Sequence, residues 1–201
     1  MRNADHPRAY PERERLLWVD TETGVYRDGT LANLPDHLRA FDLVVVNDAA
    51  TFPASLPVRL AETDAELELR LAGHGRDAVT WWAVLFGPGS WRMATEHRPP
   101  PPRVAVGDVL WVGPLTAVVL EVSPLSPRLL KLRMNGEPET MIRELYHLGR
   151  PIQYSYVSHD LALWDVQTRY GARPWSLEMP SAGRPLTWDI LARARRKGVA
   201  L

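Results

Sequence analysis

Strict alternation of apolar and polar positions marks the middle of the chain. Residues 65–71 (Ala-Glu-Leu-Glu-Leu-Arg-Leu) alternate without a break, which is typical of a strand buried on one face. Residues 129–134 alternate again, and apolar runs at 79–86, 109–112 and 115–122 lie between turns rich in glycine and proline. Short strands at this spacing predict a small antiparallel barrel or sandwich.

The flanking segments instead mix helical and strand patterns. The sequence predicts a hairpin over residues 15–26, a short helix over 34–40, a fully buried strand at 43–46 and an amphipathic helix over 186–197. We therefore expect an α+β protein, a mixed α/β domain interrupted by an inserted antiparallel β-barrel-like domain. The expected boundaries are residues 1–57 for the first part of the α/β domain, 58–148 for the barrel-like insertion, and 149–201 for the second part.

Composition narrows the classes of function. The 201 residues are enough for a buried core, and 24 basic against 24 acidic residues leave no overall charge to attract nucleic acid or membrane. The absence of cysteine excludes disulfides and thiolate chemistry. The apolar runs are too short to span a membrane and no signal peptide is present, so we expect a cytoplasmic protein. Six scattered histidines and the lack of a glycine-rich phosphate loop predict neither a metal site nor a dinucleotide site.

Asn47 and Asp48, which follow the apolar run at 43–46, have two interpretations. Such side chains bond neighbouring backbone and start turns, which is the role of a strand cap. Polar residues where a buried strand ends are also where α/β proteins usually place their chemistry. The residues alone leave both interpretations open.

Three further groups carry similar alternatives. The small-residue loop at 180–183 is either an ordinary helix-capping loop or a backbone cradle for a ligand beside a helix amino terminus. The basic run at 193–197 either meets phosphates or is a solvated helix face. An aromatic set suits either internal packing or stacking on a base; its members are Tyr154, Tyr156, Trp164, Tyr170 and Trp175.

In this order, these segments resemble the S-adenosylmethionine:tRNA ribosyltransferase-isomerase family of queuosine biosynthesis. The matching segments are 15–24 with the family's "SRLLVLD…TG", 41–56 with "GDLLVLNDTRVIPARL", Trp82 and 106–108 with "WEALV…GD", 148–156 with "LGEMPLPPYI", 167–170 with "YQTVYA", and 179–187 with "APTAGLHFT". The resemblance covers most of the chain. It implies an enzyme that modifies tRNA and acts as both a transferase and an isomerase.

The resemblance implies that the ribosyl part of S-adenosyl-L-methionine is transferred to 7-aminomethyl-7-deazaguanine in tRNA and isomerised to give epoxyqueuosine. S-adenosylmethionine would be a consumed substrate, so no resident cofactor is expected, and tRNA would be the second substrate. The resemblance also implies a site in which Asp48 is the catalytic acid–base group. The residues expected to bind substrate are Asn47, Pro53, Tyr154, Tyr156, Gln167, Thr168, Tyr170, Pro180, Ser181, Ala182 and Gly183.

The chain departs from the family motifs at several of these positions. Ala49 and Ala50 replace Thr-Arg, Ser55 replaces a second arginine, and residues 184–186 replace Leu-His-Phe. Neither alanine nor serine can bind an anion as a planar guanidinium does. Family sequences also continue beyond this match, so we expect an α/β domain truncated relative to the family. Either a second chain or segment completes it, or the remainder is lost, or the chain is a family-derived protein with altered activity.

Two hypotheses follow from the resemblance and these departures. The first is an enzyme of the family. The alternative is a non-catalytic module that binds nucleoside or RNA and is derived from the same family.

Overall fold

The computed structural model describes residues 8–201. The chain forms two compact units: a barrel unit of residues 52–165, and a split unit made of residues 8–51 and 166–201. The barrel unit therefore interrupts the split unit in sequence. The predicted insertion at 58–148 lies within the barrel unit, and residues 1–7 of the predicted first part lie outside the described residues.

The described residues contain ten strands and three α-helices. In chain order these are β1 Arg15–Val19, β2 Tyr26–Thr30, α1 Leu34–His37, β3 Ala49–Thr51, β4 Ser55–Leu60, β5 Glu66–His74, β6 Thr80–Phe86, β7 Val109–Val112, β8 Leu115–Val122, β9 Leu129–Met134, α2 Pro138–Leu148, β10 Arg173–Ser176 and α3 Trp188–Arg196. The predicted mixture of helices and strands is confirmed.

Strands β4 to β9 form a closed barrel in the order β4-β5-β6-β9-β8-β7. Every neighbouring pair is antiparallel, and the pairing of β4 with β7 closes the barrel. The alternation predicted at 65–71 directs Leu67, Leu69 and Leu71 into the core, where leucines from the other strands also lie. The predicted antiparallel barrel is confirmed, and its first strand begins at Ser55.

A buried arginine fixes the proline-rich segment 98–103 to the outside of the barrel. Arg98 donates hydrogen bonds to the Glu68 carboxylate and to the Gly87 carbonyl. Glu68 also pairs with Arg70 at 2.6 Å and accepts from the Ser55 hydroxyl at 2.8 Å. Because Glu68 is buried yet fully hydrogen-bonded, its charge is compensated.

The split unit is assembled from short elements of both its segments. Strands β1 and β2 form the predicted hairpin, and β10 pairs with β3 in parallel. Helix α3 is held to the α1 region by Arg193, which donates to the Ala32 carbonyl at 2.8 Å, and by Lys197, which donates to the Pro35 carbonyl at 2.7 Å. These two basic side chains thus serve packing within the unit.

The predicted buried strand at 43–46 is wrong. Among the described residues, this segment makes no strand and forms an isolated bridge between Leu43 and Ala200. Leu43 is 67% exposed and Val45 is 83% exposed. Within residues 8–201, the backbone N–H and C=O groups of Leu43 and Val45 form no hydrogen bond with other backbone groups. The outer edge of the segment, which faces away from Ala200, is therefore unpaired. A continuous apolar run predicts burial on both faces only where other elements of the fold cover both faces of the strand.

Two helix boundaries also differ from the predictions. Helix α1 ends at His37, not near residue 40, because Leu38 is already extended. Helix α3 begins at Trp188, and its cap is Thr187, whose hydroxyl accepts from the Ile190 amide at 3.4 Å. Among residues 8–201, no helix is both long enough and apolar enough to cross a membrane.

The barrel core predicts that truncating a leucine lowers the free energy of unfolding strongly at a buried position and little at an exposed one. Leu130 is 0% exposed and Leu125 is 88% exposed. We expect Leu130→Ala to lower the free energy of unfolding by about 2–5 kcal/mol because it leaves a cavity. Leu125→Ala should change it by less than about 0.5 kcal/mol. Urea denaturation followed by tryptophan fluorescence measures both, and equal effects would contradict the burial of β9.

The Glu68 cluster predicts a loss of stability in acid. Burial alone would raise the pKa of Glu68, but Arg70, Arg98 and Ser55 outweigh it and hold this pKa below the ordinary value of 4.5. A lowered folded-state pKa stabilises the fold above the unfolded-state pKa, and this stabilisation is lost as the pH falls through the folded-state value.

We therefore expect Glu68→Gln to lower the free energy of unfolding by about 2–4 kcal/mol at neutral pH, with the difference from the wild type narrowing below about pH 4.5. Glu66→Gln is the matched control, because Glu66 lies on the same strand in an exposed pair with Arg59 at 2.8 Å. Urea denaturation at several pH values measures the difference. A Glu68→Gln effect independent of pH would contradict the charged state of Glu68.

Candidate functional site

Residue Gln167 joins the two segments of the split unit by imitating a strand. Its side-chain amide accepts from the Thr51 amide at 2.8 Å and donates to the Thr51 carbonyl at 2.9 Å. The Thr51 hydroxyl in turn donates to the Val166 carbonyl at 2.6 Å. The structure therefore brings the first and late sequence motifs together, and it uses the Gln167 amide for backbone pairing.

Asn47 and Asp48 lie just before β3, not at the end of the predicted strand. The Asn47 side chain accepts from the Ala49 amide at 3.0 Å, which is the local turn that one of the two interpretations anticipated. The Asp48 carbonyl accepts from the Ala172 amide at 2.8 Å. Its carboxylate lies 3.7 Å from Nε of Arg173, and the Asp48 side chain stays 50% exposed.

Arg173 is a residue that the sequence did not single out. It lies on β10 in register with Ala49 of β3, which explains its approach to Asp48. The sequence around it, Arg-Pro-Trp-Ser, has no alternation of apolar and polar residues that would predict a strand. The sequence analysis named only its neighbour Trp175, as a member of the aromatic set.

Thr168 and Tyr170 pack around the glycine at the end of the small-residue loop. The Tyr170 hydroxyl donates to the Gly183 carbonyl at 3.4 Å, and burial raises the pKa of this phenol above its ordinary value of 10.0. A side chain at Gly183 would collide with the Tyr170 hydroxyl. Thr168 is only 5% exposed, and its hydroxyl has no hydrogen-bond partner within residues 8–201.

The small-residue loop does not begin a long helix. Ser181–Gly183 forms a single 3₁₀ turn after Pro180, and the side chains of Ser181 and Ala182 are exposed. Helix α3 begins only at Trp188. The helix dipole proposed for this loop therefore acts at residues 187–190, and any ligand contact of the loop depends on its own backbone.

The other predicted substrate-binding residues belong to the barrel unit. Pro53 is buried next to the core residue Phe52. Tyr154 and Tyr156 are partly exposed, and their rings stack with centroids 5.8 Å apart and an interplanar angle of 4°. Their contribution to substrate binding stays a prediction.

The barrel unit also has a surface cavity of about 390 Å³ that contains none of the predicted site residues. It is lined by Pro57, Val58, Arg59, Glu66, Trp111, Gly113 and Leu148. Two of its charged residues are paired with each other, since Arg59 donates to Glu66 at 2.8 Å. Both charged residues of the cavity lining are therefore already paired within the protein.

The chemistry available in the split unit is that of a carboxylate, a phenol and a buried hydroxyl. No group of three or more potential metal ligands lies together in the part of the chain that the structure describes. Asp48 can accept a proton, Thr168 can donate or accept a hydrogen bond, and Arg173 can bind an anion. These groups suit proton transfer and polar recognition of a substrate.

Two relatives that carry the same name match this chain over most of its length. The S-adenosylmethionine:tRNA ribosyltransferase-isomerase of Desulfitobacterium hafniense is 30% identical over 202 residues, covering 100% of this chain and 54% of that protein. The enzyme of the same name from Thermus thermophilus is 29% identical over 187 residues, covering 88% of this chain and 50% of that protein. The chain thus spans about half the length of these curated relatives.

A crystal structure of S-adenosylmethionine tRNA ribosyltransferase from Thermotoga maritima matches with a TM-score of 0.37 and 17% sequence identity, covering 98% of this chain and 51% of that one. The profile of the family described as queuosine biosynthesis protein matches residues 1–201. The family predicted from the sequence motifs is therefore confirmed. Because its profile matches along the full length given, this chain belongs to the queuosine biosynthesis protein family.

Proposed function

We propose that this chain carries out, or contributes to, S-adenosylmethionine:tRNA ribosyltransferase-isomerase chemistry. In this reaction the ribosyl part of S-adenosylmethionine is transferred to 7-aminomethyl-7-deazaguanine in tRNA and isomerised to the epoxycyclopentane of epoxyqueuosine. Adenine and methionine leave, so S-adenosylmethionine is a consumed substrate and no resident cofactor takes part. The reaction would take place in the cytoplasm.

One observation supports this proposal above the others. Three motifs that carry the family resemblance meet within the split unit, although more than a hundred residues separate the first from the other two. Asp48 and Thr51 lie beside residues 167–173, and Thr168 and Tyr170 lie beside Gly183. Chance similarity in short motifs would not bring them together. The names of the relatives favour an enzyme over a binding module.

The groups around Asp48 can be assigned roles on this proposal. Asp48 would remove the proton next to the sulfonium, because it carries a carboxylate where the first motif meets the late segment, with its backbone bonded to Ala172. The buried hydroxyl of Thr168 would bind a polar group of the nucleoside, which would satisfy its hydrogen-bonding capacity. The backbone of residues 180–183 would approach the nucleoside closely because its side chains are small.

We also propose that a further polypeptide segment, in the same chain or in a second one, completes the split unit. The exposed side chains of Leu43 and Val45 and the free outer edge of their segment support this. Such an edge pairs readily with an added strand. The relatives carry nearly as much sequence again outside the matched half, and that sequence is the source we propose for the added strand.

Adenine release tests the enzymatic proposal directly. The chain is mixed with S-adenosylmethionine and a tRNA that carries the deazaguanine base, with and without the unmatched half of the Desulfitobacterium hafniense relative. We expect adenine release with the added half, and a loss of about 10²–10⁴-fold in rate for Asp48→Asn, because the variant cannot accept a proton. Asp28→Asn is the control, since Asp28 is also an exposed partner of an arginine, at 3.2 Å.

Chromatographic detection of adenine gives the rate, and calorimetry gives substrate affinity. Binding of both substrates without adenine release under either condition would reject the enzyme and support the binding module. An Asp48→Asn variant with the wild-type rate would reject only the role assigned to Asp48, and the enzymatic proposal would stand.

Thr168→Val separates a binding role from a structural one. Valine matches the shape of threonine, and the hydroxyl it removes has no partner within the described residues. We therefore expect the free energy of unfolding to stay constant or rise by up to about 1 kcal/mol. Affinity for S-adenosylmethionine, measured by calorimetry, should fall by about tenfold. Unchanged affinity would contradict the assigned contact, and Thr30→Val on the β2 strand serves as a control.

A further inference from the structure

Two exposed side chains of β10 form a second feature beside Asp48. Arg173 and Trp175 are two positions apart on β10, and their side chains lie together. The guanidinium carbon of Arg173 lies 5.4 Å from the centroid of the Trp175 ring. The side chain of Arg173 is 59% exposed and Trp175 is 64% exposed. The pair therefore presents a charged group and an aromatic face to solvent.

The contacts of Arg173 leave its hydrogen-bonding groups available. Its approach to Asp48 is 3.7 Å through Nε, which is longer than a hydrogen bond. Within residues 8–201, neither of its terminal nitrogens donates a hydrogen bond to the protein. An exposed ion pair of this kind contributes little to stability, so Asp48 orients the guanidinium without occupying it.

We infer that Arg173 and Trp175 bind one nucleotide of the RNA substrate, with the base stacked on Trp175 and its phosphate bound by Arg173. This inference rests on the proposed function, because it takes RNA as the partner. Arginine and an exposed aromatic side chain are the combination that binds single-stranded nucleotides. Arg173 also links this contact to the proposed catalytic residue, since the same guanidinium lies beside Asp48.

The shape of the surface favours a nucleotide within a polymer over a free small molecule. A small ligand usually binds in a concave site that buries most of its surface. Here β10 pairs with β3 alone in the described part of the chain, and Arg173, Pro174 and Trp175 are all exposed. An RNA held elsewhere by further contacts can place one nucleotide on such an open surface.

The test measures binding of a tRNA stem-loop carrying the deazaguanine base to the full chain, by fluorescence anisotropy at several salt concentrations. We expect Trp175→Leu to weaken binding by about 5- to 150-fold through lost stacking. We expect Arg173→Met to weaken binding and to reduce the slope of log affinity against log salt by about 0.7–0.9. Arg173→Lys should restore the slope, because it keeps the charge.

Matched controls come from the same unit. Arg15 is an exposed arginine paired with Asp28 at 3.2 Å, and Trp188 is an exposed tryptophan at the start of α3. We expect Arg15→Met and Trp188→Leu to bind RNA as the wild type does. Because all four side chains are exposed, thermal melting should give the same midpoint for every variant.

The outcomes distinguish this inference from the proposed function. If the wild-type chain binds no RNA even with the unmatched half of the Desulfitobacterium hafniense relative added, both would be overturned. RNA binding that is unaffected by Arg173→Met and Trp175→Leu, or reduced equally by the two controls, would overturn the nucleotide contact and leave the proposed function standing. Weaker binding confined to the two β10 variants would support the contact.

Discussion

The split unit depends on the hydrogen bonds between Thr51 and Gln167. The Gln167 amide satisfies both backbone groups of a residue that lies 116 positions earlier, as a neighbouring strand would. The free energy needed to close such a loop grows slowly with its length. The barrel unit shortens the effective loop, because Ser55 and Arg150 pair through two backbone hydrogen bonds, at 2.9 and 2.8 Å. A folded barrel therefore makes the rejoining of the two segments less costly in chain entropy.

Small residues allow the rejoined segments to approach closely. A Cβ atom on Gly171 would lie 3.2 Å from the Cα of Ala50 and 3.1 Å from the Thr168 hydroxyl. Where the family motif has arginine, Ala50 thus faces a backbone with little room for a long side chain. A guanidinium does lie near Asp48 in this chain, that of Arg173 on the neighbouring strand, at 3.7 Å.

The sequence was most informative where one pattern determines one structure. Alternation in β5 and β9 predicts their inward faces, because a strand with one buried face must alternate. The run at 43–46 was misassigned because its composition does not reveal whether a neighbouring strand is present. Strand β10 escaped prediction because it is short and carries no alternation. The sequence did not predict that the Gln167 side chain bonds the Thr51 backbone, since a motif gives the order of residues and not their hydrogen bonds.

The exposed segment before Asp48 links the architecture to the chemistry. Removal of a proton beside a sulfonium needs a site with little water, and charge effects weaken when the groups are solvated. Asp48 is 50% exposed, and it lies three positions after Val45, which is 83% exposed. On the proposal made above, an added segment that packs on the exposed face of this stretch would cover Leu43 and Val45 and would also restrict water near Asp48. On the proposed function, the contacts assigned to Thr168 and β10 would need no such cover, because these groups already have their places within the split unit. Substrate binding and catalysis would then make separate structural demands, and the described residues would meet the first more fully than the second.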